Sequence, residues 1–430
     1  MSSSAPPRAA ARRGARRRTA AVVAVALVGP LSACGSDVGA DDDTLRITAN
    51  VTDRASMDAV VAAFGTLEPD VELSVTYAET DQLQKSLPTR LASGDGPDVF
   101  TVWPGNGNPA SVMRLQADGR LHDLSARRFA VDLPHDAASV VQFNYHTFAV
   151  PANYSGIGVI YSKSALAAIG ADTPTTWDQL IGLCHRAREK GTTLLALGNK
   201  TPWVTQLVSY ALAATTVYGT SPDFDQKMRD GDATFAASGW KTAFEKYLTM
   251  NDEGCFSDDP LGTTYEDTVA DVAENRAVGV VQVASSLSEI QARSPGLELG
   301  IFVLPAGNAP SRTRMPAAIS AAYGVNAKAE HMKAALAFAD FLGSAAGQNA
   351  YNRAGATLPA IPNDDFDVRP ALAATAEQQR AGKAVPFMDQ LWPHPGVQEE
   401  HFAQIASLFA GRTTVEAALA ALDRAYASDS

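Results

Sequence analysis

The sequence predicts an α/β protein of two lobes with a helical C-terminal region. Three observations lead there. Between residues 45 and 102 the apolar positions switch back and forth between period two and helical spacing. The same switching resumes near Val150, and from Lys328 onward the helical period dominates.

Residues 45–47 read as a strand, and Met57, Val60, Val61, Phe64 and Leu67 then fall on one helix face. Val71, Leu73, Val75 and Tyr77 return to period two. Leu83, Leu87 and Leu91 form a second helix face, in which Pro88 predicts a kink or a break. Residues 98–102 are a short buried strand. Strand, helix, strand, helix, strand is the signature of a parallel sheet, whose ligands bind beyond the carboxyl ends of the strands. Here those ends are residues 49–53, 78–82 and 103–108. They are rich in hydrogen-bonding groups, hold no lysine, and include Trp103; Arg54 reads as the start of a helix.

In the second series Val159 and Ile160 mark a strand. Trp177, Leu180, Ile181, Cys184 and Ala187 mark a helix capped by Thr175 or Thr176. Residues 193–197 are a strand followed by a polar loop containing Trp203, and 278–283 and 297–304 are further strands. Met332, Leu336, Phe338, Phe341 and Leu342, then Phe402, Ile405 and Phe409, supply the helical C-terminal region.

The first 33 residues are of another kind. Arg8, Arg12, Arg13, Arg16, Arg17 and Arg18 precede a short apolar run and the small residues before Cys34, with no acid among them. That order is a secretory signal peptide, and the run is well short of the ~20 residues a membrane span needs. Leu31-Ser32-Ala33-Cys34 resembles a bacterial lipobox, which makes Cys34 the expected lipidation site and new N-terminus. The paired arginines also suit twin-arginine export. Residues 34–43 are small and acidic, as a tether would be. The expected location is therefore outside the cytoplasm, lipid-anchored to the outer face of the bacterial cell membrane.

The chain has 35 basic against 47 acidic residues, a net charge of −12, and loses six of those arginines with the signal. So acidic a body argues against nucleic acid as a partner. Beyond Cys34 only Cys184 and Cys255 remain. In an exported chain such a pair is expected to form a disulfide, two buried thiols being the alternative.

Catalytic and metal signatures are missing. The seven histidines are scattered, no H-E-x-x-H pair or zinc-ligand spacing occurs, and neither a G-x-S-x-G elbow nor a phosphate-binding P-loop is present. The chain reads as a binder with no cofactor and no metal, rather than as an enzyme. A secreted glycosidase, which needs a pair of carboxylates in one cleft, and a binder of a charged solute are the rival readings.

Three further stretches carry a resemblance. Residues 91–99, LASGDGPDV, are similar to an A-x-G-x-x-P-D-V pattern; residues 150–163, VPANYSGIGVIYSK, to a crossover strand ending in Y-N-K; and residues 174–180, PTTWDQL, to P-x-T-W-x-E-L. With the lipobox they resemble extracellular solute-binding proteins, family 1, the sugar-capturing lipoproteins of ATP-binding-cassette importers. The resemblance implies a type II periplasmic-binding-protein-like fold: two α/β lobes on a hinge, closing on ligand. It places lobe 1 at residues 44–150 and 304–344 and lobe 2 at 151–303 and 345–430. It also implies a monomer that hands a mono- or oligosaccharide to membrane permease subunits.

A sugar presents an apolar face, which aromatic rings cover, and a rim of hydroxyls, which amides and carboxylates satisfy. Family position carries the site to Trp103, Asn106 and Asn108, to Asn153 and Tyr154 in the crossover, to Trp203, to Gln282 and its strand end, and to Trp392. Trp103, Trp203 and Trp392 stand in loops with Pro or Gly, whereas Trp177 and Trp240 stand on apolar helix faces and read as core. Asp81 suits sugar contact or helix capping equally. The platform tryptophan of the family's maltose-binding member is missing from residues 282–285.

Overall fold

The computed structural model describes residues 44–428, Asp132 excepted. The signal peptide, the tether and Cys34 lie outside the described residues. Parallel strands β1 (Thr44–Asn50), β2 (Glu72–Ala78) and β3 (Val99–Val102) alternate with helices Arg54–Leu67 and Thr80–Ser93. Pro88 does not break the second helix into two elements: the helix runs from Thr80 to Ser93, with Leu83, Leu87 and Leu91 buried. Core packing of that face outweighs the one lost backbone hydrogen bond.

A small hairpin follows, β4 (Gln142–Phe143) and β5 (His146–Thr147). Then comes the 13-residue β6 (Val150–Ser162), on which the architecture turns. The later strands are β7 (Thr193–Ala196), β8 (Ala277–Val283), β9 (Leu299–Phe302), β10 (Met315–Val325), β11 (Leu358–Pro359) and β12 (Ala384–Val385). The sheet order is β2-β1-β3-β10-β6-β8-β7, with β9 and β11 also on β6 and β12 on β10. Up to Gly156, β6 pairs with β10 and so with the β1–β3 sheet; from Ile157 it pairs with β8 and β9. One strand therefore belongs to both lobes. The changeover is crowded: a Cβ on Gly156 would come within 2.5 Å of Met315 Cε, and one on Gly158 within 2.9 Å of the Phe302 carbonyl oxygen. Only glycine fits such an approach.

In the first lobe the helices Arg54–Leu67 and Met332–Leu342 cover the sheet, with Phe64 against Phe338 and Phe341 at ring separations of 5.2 and 5.7 Å. Asp98 of the G-P-D-V stretch is buried and accepts the backbone N–H groups of Arg46 (3.0 Å) and Glu330 (2.9 Å), tying β1 to the start of that covering helix. Burial alone would raise its pKa, but the Arg46 and His331 hydrogen bonds and the charge of Arg46 hold it below the usual carboxylate value.

Helix Ala345–Gly355 follows the covering helix Met332–Leu342. It packs along Arg54–Leu67, and Gln348 and Asn352 donate to the Pro151 and Ala152 carbonyls of β6 at 2.9 Å. These amides satisfy strand carbonyls that would otherwise be buried unpaired. In the second lobe Cys184 and Cys255 form a disulfide, Cα–Cα 4.6 Å, joining helix Trp177–Glu189 to the chain after helix Trp240–Asp252. Helices Pro395–Phe409 and Val415–Tyr426 pack on each other and close this lobe.

Candidate functional site

A cleft of about 800 Å³, its open mouth included, lies between the lobes. The first lobe contributes the strand ends. Asn50, Thr52 and Asp53 follow β1, Thr80 and Gln84 begin the next helix, Thr101 and Trp103 end β3, and Ser320 and Ala321 come from β10. The second contributes Ile157, Trp203, Gln206, Tyr210, Val283, Ser285, Phe387, Asp389, Gln390 and Gln398.

The first wall is held by its own polar network. The Asn50 backbone N–H donates to Thr101 Oγ1 at 3.0 Å, and its Nδ2 to Thr80 Oγ1 at 3.0 Å. Asn153 sets the β10 segment. Its Oδ1 accepts the Ala321 N–H at 2.9 Å where the β6–β10 register shifts, and this bulge brings Ser320 and Ala321 to the cleft. On the second wall Gln398 Nε2 donates to both Asp389 Oδ2 (3.1 Å) and Gln206 Oε1 (3.2 Å). Gln390 Nε2 crosses to the Ile319 carbonyl at 2.7 Å.

Two carboxylates face this space, each more than nine-tenths buried. Burial pushes Asp53 up to about 7, a hydrogen bond from Tyr351 opposing it and the charge of Glu289 adding to it. Asp389 is pushed to about 6 by burial, against its own backbone N–H and the Tyr210 hydroxyl.

The residues expected at the site divide. Trp103 and Trp203 both line the cleft, half-buried, with Trp203 packed on Tyr265 at 5.0 Å. Asp81 sits in the first turn of its helix and makes no cap; its neighbours Thr80 and Gln84 line the cleft instead. Asn106 donates Nδ2 to the Pro393 carbonyl. It thereby locks the 103–108 loop onto the 389–393 segment, where Gly105, at φ 79°, has no room for a Cβ beside Gln390. Asn108 is buried and accepts the Ala110 N–H at 3.0 Å, an internal turn bond.

The remaining four are buried and lie outside the cleft lining. Asn153 is spent on the bulge described above. Tyr154 is 4% exposed and donates its hydroxyl to the Ala317 carbonyl at 2.9 Å. Gln282 is fully buried, its Oε1 accepting from Val283 N–H, while Val283 and Ser285 reach the cleft. Trp392 is 2% exposed, amid Tyr210, Phe235, Trp240 and His401 with ring centroids 5.9–6.5 Å away. It is core, like Trp240. His401 in that cluster is held neutral, burial lowering its pKa to about 3.

Asp53, Gln84, Gln206, Tyr210, Asp389, Gln390 and Gln398 were not singled out from the sequence. Asp53 stands in a strand-end loop that the parallel-sheet reading did point to. The others carry no local signal.

Residues 48–349 match the model of the bacterial extracellular solute-binding protein family, and the chain belongs to that family. It is similar to a multiple sugar-binding protein of Streptococcus mutans, 22% identical over 329 residues, covering 75% of this chain and 77% of the relative. Among solved structures it resembles one from work on xylan utilization by Caldanaerobius polysaccharolyticus, with a TM-score of 0.76 and 18% identity over 89% of this chain and 99% of the other. It also resembles the solute-binding protein RafE in complex with raffinose, with a TM-score of 0.74 and 18% identity over 89% and 98% of the two chains. These likenesses establish the fold: two α/β lobes with a helical C-terminal region.

Proposed function

We propose that the protein captures a mono- or oligosaccharide in the interlobe cleft by hinge closure and delivers it to the permease subunits of an ATP-binding-cassette importer. One observation carries the reading: Trp103 and Trp203 come from opposite lobes into one cleft whose lining combines apolar side chains with amides, hydroxyls and two carboxylates, and among the described residues holds no lysine or arginine. Rings for a sugar's C–H face and hydrogen-bonding groups for its rim are the two things a sugar requires. The relatives named for sugar binding agree with it. Contacts made by both lobes to one ligand would favour the closed state, since only differential affinity shifts such an equilibrium. The protein acts as a monomer, anchored through lipid on Cys34, with its first lobe formed mainly by residues 44–156 and 315–359.

A panel of carbohydrates in thermal-shift and calorimetric titration tests this, because a ligand that binds only the folded state raises its apparent stability. Saturable binding followed by chromatographic recovery of intact sugar is expected. Two carboxylates in one cleft are also what a glycosidase needs. Steady release of hydrolysed sugar, abolished by Asp53→Asn or Asp389→Asn, would move the assignment to an enzyme. Mass spectrometry of protein from native membranes should find lipid on Cys34 and no residue before it.

A further inference from the structure

Trp203 reaches the cleft half-buried, from a short turn at residues 202–204. An indole so placed turns about its side-chain torsions unless neighbours hold it. The backbone beneath it is held by the chain that leads into helix Tyr265–Ala273. Lys200 N–H donates to the Thr263 carbonyl at 3.1 Å, and Tyr265 N–H donates to Thr201 Oγ1 at 3.0 Å. A Cβ on Gly198 would come within 2.7 Å of the Thr264 carbonyl oxygen, so the two segments lie in direct contact. These contacts place the backbone at Trp203 and leave the direction of its ring undetermined.

The ring meets Tyr265. Their centroids are 5.0 Å apart and their planes 54° from parallel, within the range of favourable aromatic pairs. Tyr265 opens its helix beside the Thr264–Asp267 capping box and is 2% exposed, outside the cleft lining. Its hydroxyl donates to Glu289 Oε1 at 2.7 Å and lies 2.9 Å from Ser286 Oγ, both on helix Ser286–Arg293. The phenol is thus fixed at its backbone by the Trp203 loop and at its hydroxyl by a second helix, with its ring against the indole.

Ordering a side chain on binding weakens affinity, and a ring ordered beforehand avoids that loss. We propose that Tyr265 is a positioning residue for sugar capture: it holds the indole of Trp203 in place at the cleft, and Glu289 anchors its hydroxyl. The proposal rests on the sugar-capture reading and adds to that site a support outside its lining.

Calorimetry of the unaltered protein with glucose, galactose, xylobiose, maltotriose and raffinose selects the tightest-binding probe. Tyr265→Leu, confirmed folded by circular dichroism, should then bind that probe about three- to tenfold more weakly. In a Trp203→Ala background the same substitution should cost less than about twofold, a coupling that general destabilisation does not produce. Glu289→Leu should weaken binding about two- to fivefold, again only where Trp203 is present. Glu289→Gln keeps an acceptor oxygen for the hydroxyl and should restore most of that loss. Undiminished affinity in folded Tyr265→Leu, or equal losses with and without Trp203, would overturn the assignment and leave sugar capture standing. Undiminished affinity in Glu289→Leu, or an equal loss in Glu289→Gln, would overturn the hydroxyl anchor, and the whole proposal if Tyr265→Leu does not fold. Failure of every one of these sugars to bind would overturn the sugar-capture reading and the positioning role with it.

Discussion

Replacing Trp392 by alanine separates core from cleft. The indole is 2% exposed and meets Tyr210, Phe235 and His401 edge-on or tilted at 5.9 Å, with Trp240 at 6.5 Å. Truncating so enclosed a ring removes its burial and opens a cavity, which costs about 3–5 kcal/mol. Guanidinium unfolding followed by circular dichroism should show the midpoint falling with little change in slope. The cleft should feel little of it. Tyr210, the neighbour that lines the cleft, keeps Trp240 at 6.3 Å and His401 at 5.6 Å. Sugar affinity of the folded fraction should therefore stay within a few-fold, roughly the level of uncoupled sites. Trp203→Ala should do the reverse. Its half-buried ring lines the cleft, so roughly 1–3 kcal/mol of binding should go. A Trp392→Ala protein of unchanged stability but lost affinity would refute the reasoning.

Other substitutions test other parts. Replacing both Cys184 and Cys255 by alanine should cost about 2–4 kcal/mol, read as a lower unfolding midpoint; an unchanged midpoint would show that the bridge stabilises nothing. Asn153→Ala leaves the buried Ala321 N–H unmet and should cost about 1–3 kcal/mol while loosening the β10 wall; wild-type stability would contradict that role. Asp53 has a raised pKa in the fold, so the unfolded chain ionises it first. Stability then falls as pH rises from about 4 through about 7, where the folded protein also ionises, and stays low above that. Asp53→Asn should accordingly stabilise the empty protein by a few kcal/mol at pH 8 and hardly at all at pH 4; equal effects at both would be the wrong result.

Much of the fold was legible because its signals are periodic. The strands around Ile47, Val75 and Val280, the helix faces of Phe64 and Phe338, and the Thr176 cap all reflect local spacing. The amide bonds from helix Ala345–Gly355 to β6 are long-range and leave no trace in local pattern. The cleft was legible where it coincides with strand ends, hence Asn50, Asp53 and Trp103. Loops defeat such reading in both directions. Trp392 looks exposed between Leu391 and Pro393, yet it leads into a helix and points into the core. Asp389 and Gln390 stand in a short turn and Gln398 near the start of helix Pro395–Phe409, and they reach the cleft through tertiary packing.

Small-angle X-ray scattering across a ligand titration tests closure most directly. With a saccharide that calorimetry shows to bind, the radius of gyration should fall in step with occupancy, because one sugar is held by residues of both lobes. Full occupancy with an unchanged scattering profile would contradict capture by hinge closure.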